Sequence, residues 1–454
     1  MNKLSLRIEK LQHIQQLDFE IDLSTYGIMA IVGKNGVGKT ILFKAIQNLL
    51  TSNTFKNTAN SYIYNDESKI TYYINDNEYI YEFLYNNKIE TIDYKGEVNP
   101  IIVDEIFVEL PIPFGERFQQ FQKLGVHDKS IRTAIISGNT TKPNELIELL
   151  NYIYDSDKFN NLVEITIKTE IFYAITLDNF LYIREDYLSS GEYFIVNIYK
   201  YIKQGKKLIA IDEIDISLDS MAQVRLVEKL RELAVKNEFK LLFSTHSLAL
   251  IKTLEKDELF YMELNDGICT YKNKSYNYIK SLLYGFNNYD KYILTEDVML
   301  NSFIEYLLND EDIFTKYILL EIGGDVQVIS LLDRNHIKEI FDKEENVISV
   351  LDGDKSHMSA YNRREDILFL PFKSIEKDFF EYFKKEEFGI FSKEQLREYN
   401  FQGNLTDKKA GKKIYEMFIN NRLKSKQEIF NYLCSKNPVK VQEFKIKLVD
   451  FLNR

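Results

Sequence analysis

Gly33-Lys34-Asn35-Gly36-Val37-Gly38-Lys39-Thr40 is the stretch that decides the fold. It follows an unbroken apolar run over residues 28–32, which predicts a buried strand, and it opens a segment over residues 39–49 whose apolar positions recur at helical spacing. A glycine-rich loop on a strand-to-helix corner fits the phosphate-binding loop in the context that this pattern requires. Its glycines let backbone N–H groups wrap phosphate oxygens at the positive end of a helix. Asn35, Gly36 and Gly38 are expected to line that cradle, Lys39 to reach the β- and γ-phosphates of ATP, and Thr40 to hold Mg²⁺.

Working outward, residues 4–8 and 17–21 read as strands, and residues 61–94 as four short β runs separated by turn clusters such as Asn75-Asp76-Asn77-Glu78. The latter is an antiparallel insertion on an α/β core. A helix is expected over residues 144–154 and strands over 163–168 and 170–177; no sustained heptads run between Thr40 and Leu188, so no long coiled-coil arm is predicted. Then come a helix (191–202), a buried strand (207–211), a helix (220–235), a buried strand (240–244) and a hairpin turning at Asp266-Gly267. The Asn- and Tyr-rich residues 272–290 read as a junction. Beyond it the alternation restarts, with strands at 292–295, 317–321, 347–351 and 367–370, which implies a second parallel sheet. The organisation expected is 1–285, 290–391 and a basic helical extension, 392–454.

Composition sets the outer limits. The 454 residues are 45% hydrophobic and 28% charged, as in globular chains of two or three domains. No apolar run approaches the ~18 residues that span a bilayer, and Met1-Asn2-Lys3-Leu4-Ser5-Leu6-Arg7 has no signal-peptide core, so a soluble, cytoplasmic protein without membrane partners is expected. Two cysteines, Cys269 and Cys434, build neither a disulfide framework nor a thiolate zinc site. The net charge of −11 argues against a chain coated in phosphate contacts, yet residues 401–454 carry twelve Lys/Arg against five Asp/Glu.

Further motifs sharpen the reading of the first half. Leu208-Ile209-Ala210-Ile211-Asp212-Glu213 is an apolar strand ending in two acids, with Asp212 suited to complete a magnesium shell and Glu213 to polarise the attacking water. Leu188-Ser189-Ser190-Gly191-Glu192 stands just before a helix, Ser217-Leu218-Asp219 follows the acids, and Phe243-Ser244-Thr245-His246 ends the next strand. In this order the motifs resemble those of ABC-type ATPase heads over residues 1–263. The resemblance implies a head-to-head homodimer with two composite ATP sites, in which Ser189 and Gly191 meet the γ-phosphate held by a second copy and His246 is the switch histidine. Gln119, Gln120 and Gln122 are the candidates for the family's Q-loop glutamine.

The second half carries Leu351-Asp352-Gly353-Asp354-Lys355 at a strand end. Two carboxylates at i and i+2 with a glycine between them can converge on a divalent ion. Glu296 ends the first strand of the same sheet, and Glu376 follows the fourth within Lys373-Ser374-Ile375-Glu376-Lys377. Glu321 is a rival to Glu296, but a single βα unit separates it from Asp352, and Gly323-Gly324 reads as the turn closing its strand. The arrangement resembles the TOPRIM fold, and an ABC-type head followed by TOPRIM resembles the OLD (Overcoming Lysogenization Defect) nuclease family.

That resemblance implies that Glu296, Asp352, Asp354 and Glu376 bind two Mg²⁺ or Mn²⁺ ions for attack on a phosphodiester. It also implies a C-terminal lysine that neutralises the transition state, drawn from Lys408, Lys409, Lys412 and Lys413. Many relatives carry an acid one helical turn beyond the first glutamate, where this chain has Leu300 and the neighbouring acid is Asp297. The function expected is an ATP-binding and ATP-hydrolysing, metal-dependent DNA endonuclease in antiphage defence, a homodimer or higher oligomer that could act with a helper protein. The alternative is an ATP-switched DNA-binding clamp or sensor whose TOPRIM region is a degenerate scaffold acting with a partner effector.

Overall fold

The computed structural model describes residues 1–58, 63–111, 120–285, 289–385, 387, 393–399, 401 and 410–454. Two compact units emerge, Met1–Leu283 and Tyr284–Arg454.

In the first unit the apolar strand Gly27–Val32 is buried along its whole length. It runs parallel to Leu259–Asn265 on one side and to Lys240–Ser244 on the other. Leu208–Ile211 and then Ile106–Glu109 continue the parallel series to the sheet edge. Strands covered on both faces need no polar alternation, and Leu208–Ile211 shows none. On the far side of Leu259–Asn265 the same sheet continues through Ile268–Asn273, Ile14–Asp22, Lys3–Leu11, Lys69–Ile74, Tyr79–Asn86 and Thr91–Asp93, eleven strands among the described residues. Here one face meets water, and Ile14–Asp22 alternates accordingly, with Leu17, Phe19 and Ile21 inward and Asp18 and Glu20 outward.

Helix Lys39–Leu50 packs on one face of this sheet through Ile41, Leu42, Phe43, Ala45 and Ile46. Helices Asn144–Tyr154, Ser190–Lys203 and Ser220–Lys236 share a second core that includes Ile28 and Ala30. The insertion differs from expectation in two ways. It contributes three strands rather than four among the described residues, with residues 59–62 outside them, and it extends the main sheet through Lys69–Ile74 pairing with Lys3–Leu11. Separately, Leu162–Ile167, Glu170–Thr176 and Tyr182–Arg184 form a three-stranded antiparallel sheet. Against it packs helix Gln120–Ile136, which contributes Leu124 and Ile131.

In the second unit four parallel strands lie in the order Tyr317–Glu321, Lys291–Thr295, Val347–Leu351, Ile367–Phe369. This order puts the strand ending at Glu321 on the edge and sets Lys291–Thr295, which leads into Glu296, directly beside Val347–Leu351, which leads into Asp352. The C-terminal helices Ala410–Asn420, Lys426–Lys436 and Pro438–Asn453 bury Phe418, Phe430 and Leu448 in one core with Phe303, Phe372 and Phe379. Phe303 and Phe430 meet edge to face at 5.3 Å. At about 1.5–3 kcal/mol for each buried phenylalanine, the apolar stripes of these helices hold them to the sheet. Their basic residues Lys412, Lys426, Lys440 and Lys447 stay exposed. Among the described residues no helix is long and apolar enough to cross a membrane.

Candidate functional sites

The first site lies at the carboxyl ends of the parallel strands. Helix Lys39–Leu50 begins behind Gly38 with no side-chain cap, so its first N–H groups face the loop unclaimed by any side chain, as an anion requires. Lys39 is buried, and its ammonium donates to the carbonyls of Gly33 at 2.7 Å and Lys34 at 3.0 Å. Burial lowers its pKa, while Asp212 and Glu213 oppose that shift, which places both acids within electrostatic reach of the lysine.

Asp212 is 1% exposed. Its Oδ1 accepts the Ser244 hydroxyl from the adjacent strand end. Its Oδ2 is buried and accepts no hydrogen bond, although the Thr40 hydroxyl lies close enough to favour the ionised form. Burial dominates and raises the pKa of Asp212, offset by Ser244, Thr40, Lys39 and His246. A desolvated carboxylate with an orphaned oxygen beside a threonine hydroxyl fits a magnesium ion.

Glu213 follows at φ +57, a left-handed conformation that costs a non-glycine residue energy, and its N–H is held by Ser244 Oγ at 2.8 Å. Burial, then Asp212 and Asp215, raises its pKa. His246 sits at the same strand ends, its N–H 3.4 Å from Asp215 Oδ1, and burial together with Lys39 lowers its pKa, which favours the neutral imidazole. The structure thus brings Lys39, Thr40, Asp212, Glu213 and His246 together. Asn35 and Gly36 are exposed on the loop.

Ser189 caps helix Ser190–Lys203 in a reciprocal capping box with Glu192 and is exposed. Gly191 is pressed against the turn that carries Ser217 and Leu218. A methyl group there would lie 2.5 Å from the Ser217 carbonyl oxygen and 2.8 Å from Leu218 Cδ2, so no larger residue fits. Gln119 and the side chains of Gln120 and Gln122 lie outside the described residues.

The second site lies in the other unit, again at the carboxyl ends of parallel strands. Glu296 Oε1 accepts the Asp352 N–H at 2.9 Å, which ties the ends of the two neighbouring strands together. Gly353 is required by crowding, because a side chain there would run into the carbonyl oxygens of Phe372 and Leu370. Burial is the main cause that pushes the Asp352 carboxyl up to about 8, with added repulsion from Glu296, Asp354, Asp297 and Glu376. Burial likewise raises Glu296 and Glu376. Asp354 Oδ1 is buried without a hydrogen bond. In type and burial these carboxylates suit a hard cation.

As arranged, however, they are not a closed metal set. Among the described residues no three His, Cys, Asp or Glu side chains close around a point where one metal ion would sit. Lys377 donates from its ammonium to Asp354 Oδ2 and stands where a cation would. Leu300 is 2% exposed and packs into the apolar core, so that position offers no ligand. Asp297 instead caps the same helix, accepting the Leu300 N–H at 2.9 Å, and its charge acts on both Asp352 and Glu376. The charge of Lys412 acts on Glu376, and Gly411 packs on the Glu376 backbone. Lys408 and Lys409 lie outside the described residues.

Two further features belong to this site and are not marked by any motif: Lys377, and the pair Lys355–Asp325, which meet at 3.0 Å beside Glu296. Lys377 was visible in the 373–377 segment and Asp325 directly after the double glycine, but neither has a local signal for its partner.

No protein-family model matches the chain, and no curated protein matches it. Solved structures do. The SMC head bound to the C-winged helix domain of ScpA is 15% identical with a TM-score of 0.38, covering 59% of this chain and 96% of that one. The Smc head with an extended coiled coil, bound to a ScpA C-terminal domain and derived from Pyrococcus furiosus, is 12% identical with a TM-score of 0.35, covering 62% and 98%. The SMC head domain from Thermotoga maritima is 14% identical with a TM-score of 0.37, covering 61% and 100%.

Proposed function

We propose that residues 1–285 form an ABC-type head that binds and hydrolyses ATP, and that the rest of the chain is a divalent-metal-dependent DNA endonuclease of the OLD type, serving in antiphage defence. In the head, the uncapped start of helix Lys39–Leu50 and the Lys39 ammonium receive the β- and γ-phosphates. Thr40 and Asp212 would hold Mg²⁺, which supplies charge neutralisation at the phosphates. Glu213, its pKa raised, is a better proton acceptor for the attacking water than a solvated carboxylate. His246, its pKa lowered, would serve as a hydrogen-bonding group toward the γ-phosphate. The exposed Ser189 beside Gly191 serves the phosphate of a second copy, which makes the working head a homodimer.

The observation that carries the nuclease reading is the bond between Glu296 and the Asp352 N–H, with Asp354 and Glu376 in electrostatic reach. Like charges gathered and desolvated in this way are costly to maintain without a cation to serve. Of the four candidate lysines, Lys412 is assigned the neutralising role because its charge reaches Glu376. The exposed lysines of the C-terminal helices supply sequence-independent attraction to the DNA backbone.

The test is relaxation of supercoiled plasmid with Mn²⁺ or Mg²⁺ by the parent and by Asp352→Ala. The parent nicks and the variant does not; equal cutting by both removes the assignment. Buried Leu300 and the unclosed carboxylates favour a second reading, an ATP-switched DNA clamp with a TOPRIM scaffold. Under that reading the plasmid is bound and never cut.

A further inference from the structure

The carboxylates of the second unit have the character of a metal set without its closure, and Lys377 is the residue that separates the two. It sits on helix Ile375–Lys384, one position beyond Glu376, and its side chain is 56% exposed. The Lys377 N–H is fixed by the Ser374 hydroxyl at 3.3 Å, so the base of the side chain is anchored while the ammonium reaches across to Asp354 Oδ2. Asp354 itself rides on the short turn Gly353–Lys355, whose backbone is held by Asp354 N donating to the Lys373 carbonyl at 3.1 Å. The turn and the helix are therefore docked to each other, and the ion pair between them can break by rotation of one flexible lysine chain without moving either backbone.

We propose that Lys377 and a divalent metal ion are alternative partners for Asp354, so that the lysine is a displaceable latch on the carboxylate set. This inference rests on the phosphodiesterase reading above and names how that site is regulated. The geometry gives the reason. An ammonium against Oδ2 occupies one face of the carboxylate and repels a second cation brought to the other. Asp354 can complete a set with Asp352 and Glu296 only when the lysine swings away. Once released, the same ammonium is free to meet a substrate phosphate, so the arrival of DNA and the loading of metal favour each other.

The experiment is calorimetric titration of the full chain with Mn²⁺ alone, taking as signal the binding that Asp352→Asn removes. Lys377→Gln, at a half-exposed position where folding is not at stake, should bind Mn²⁺ about tenfold more tightly than the parent. Lys377→Arg, which keeps the charge, should bind within about twofold of the parent. Unchanged or weaker binding by Lys377→Gln overturns the latch while leaving the metal reading intact. Absence of any Asp352-dependent binding in parent and variant alike overturns the metal reading itself, and the latch with it.

Discussion

Replacing Asp352 with asparagine should make the protein more stable, not less. In the folded chain its carboxyl is pushed from an ordinary 3.8 up to about 8, by burial first and by the acids around it second. Between about pH 4 and about pH 8 the folded state therefore keeps a proton that the unfolded state has lost, and stability falls as pH rises across that window. At about 1.4 kcal/mol per pKa unit the full cost of the ionised group is roughly 6 kcal/mol; relaxation and the nearby lysines reduce it to about 2–3 kcal/mol. For a unit of this size that corresponds to roughly 5–10 °C in melting temperature. Asparagine keeps the shape and removes the charge.

Thermal melts in chelator should show Asp352→Asn gaining on the parent from about pH 4 upward and holding a constant advantage above about pH 8. Mn²⁺ should then raise the parent's melting temperature and leave the variant's unchanged, because metal binds the ionised set. A variant that melts below the parent at about pH 9 in chelator would mean the opposite, that the buried carboxylate is stabilised by partners rather than strained by them.

Other expectations follow from the same geometry. Glu213→Gln keeps the shape of the head site but removes its proton acceptor, so ATP should still bind, turnover should fall at least about a hundredfold, and size-exclusion chromatography with ATP should show a trapped dimer. Gly191→Ala drives a methyl into the Ser217 carbonyl at 2.5 Å, which costs about 1–3 kcal/mol and displaces the turn beside it. Its ATP affinity should survive because Lys39 and Asp212 are untouched, while hydrolysis should drop; unchanged turnover would separate that turn from the composite site. Lys412→Ala should lower DNA cleavage by about a hundredfold with Mn²⁺ affinity retained, and loss of metal binding instead would make the lysine a structural support for Glu376.

The phosphate loop, the acid-tipped strand at Asp212 and the βα order of the second unit were legible because each rests on local pattern: a long apolar strand, a glycine loop, a helix of regular spacing. The strand Ile106–Glu109 escaped for the opposite reason. Four residues flanked by Glu105 and Leu110 carry no period, and pairing with Leu208–Ile211 makes them a strand. Helix Gln120–Ile136 was hidden by Gly125, His127, Asp128 and Lys129 within its span; its support is Leu124 and Ile131 on a sheet nearly forty residues downstream. Glu296 could be preferred over Glu321 by counting βα units, and the strand order gives the physical basis, since only the former strand borders the one that ends at Asp352. What no local pattern could give was the cation at Asp354. Lys377 meets it from 23 positions away through a helix whose docking depends on the whole sheet.

The proposed nuclease requires the acids at the sheet end of the second unit to share a metal ion. Its most direct test is a crystal soaked in Mn²⁺ and measured for anomalous scattering. A peak is expected within bonding distance of carboxylate oxygens of both Glu296 and Asp352, with Asp354 turned toward it and the Lys377 ammonium withdrawn. A map with no peak between those two residues, and Lys377 still paired with Asp354 in saturating Mn²⁺, would contradict it.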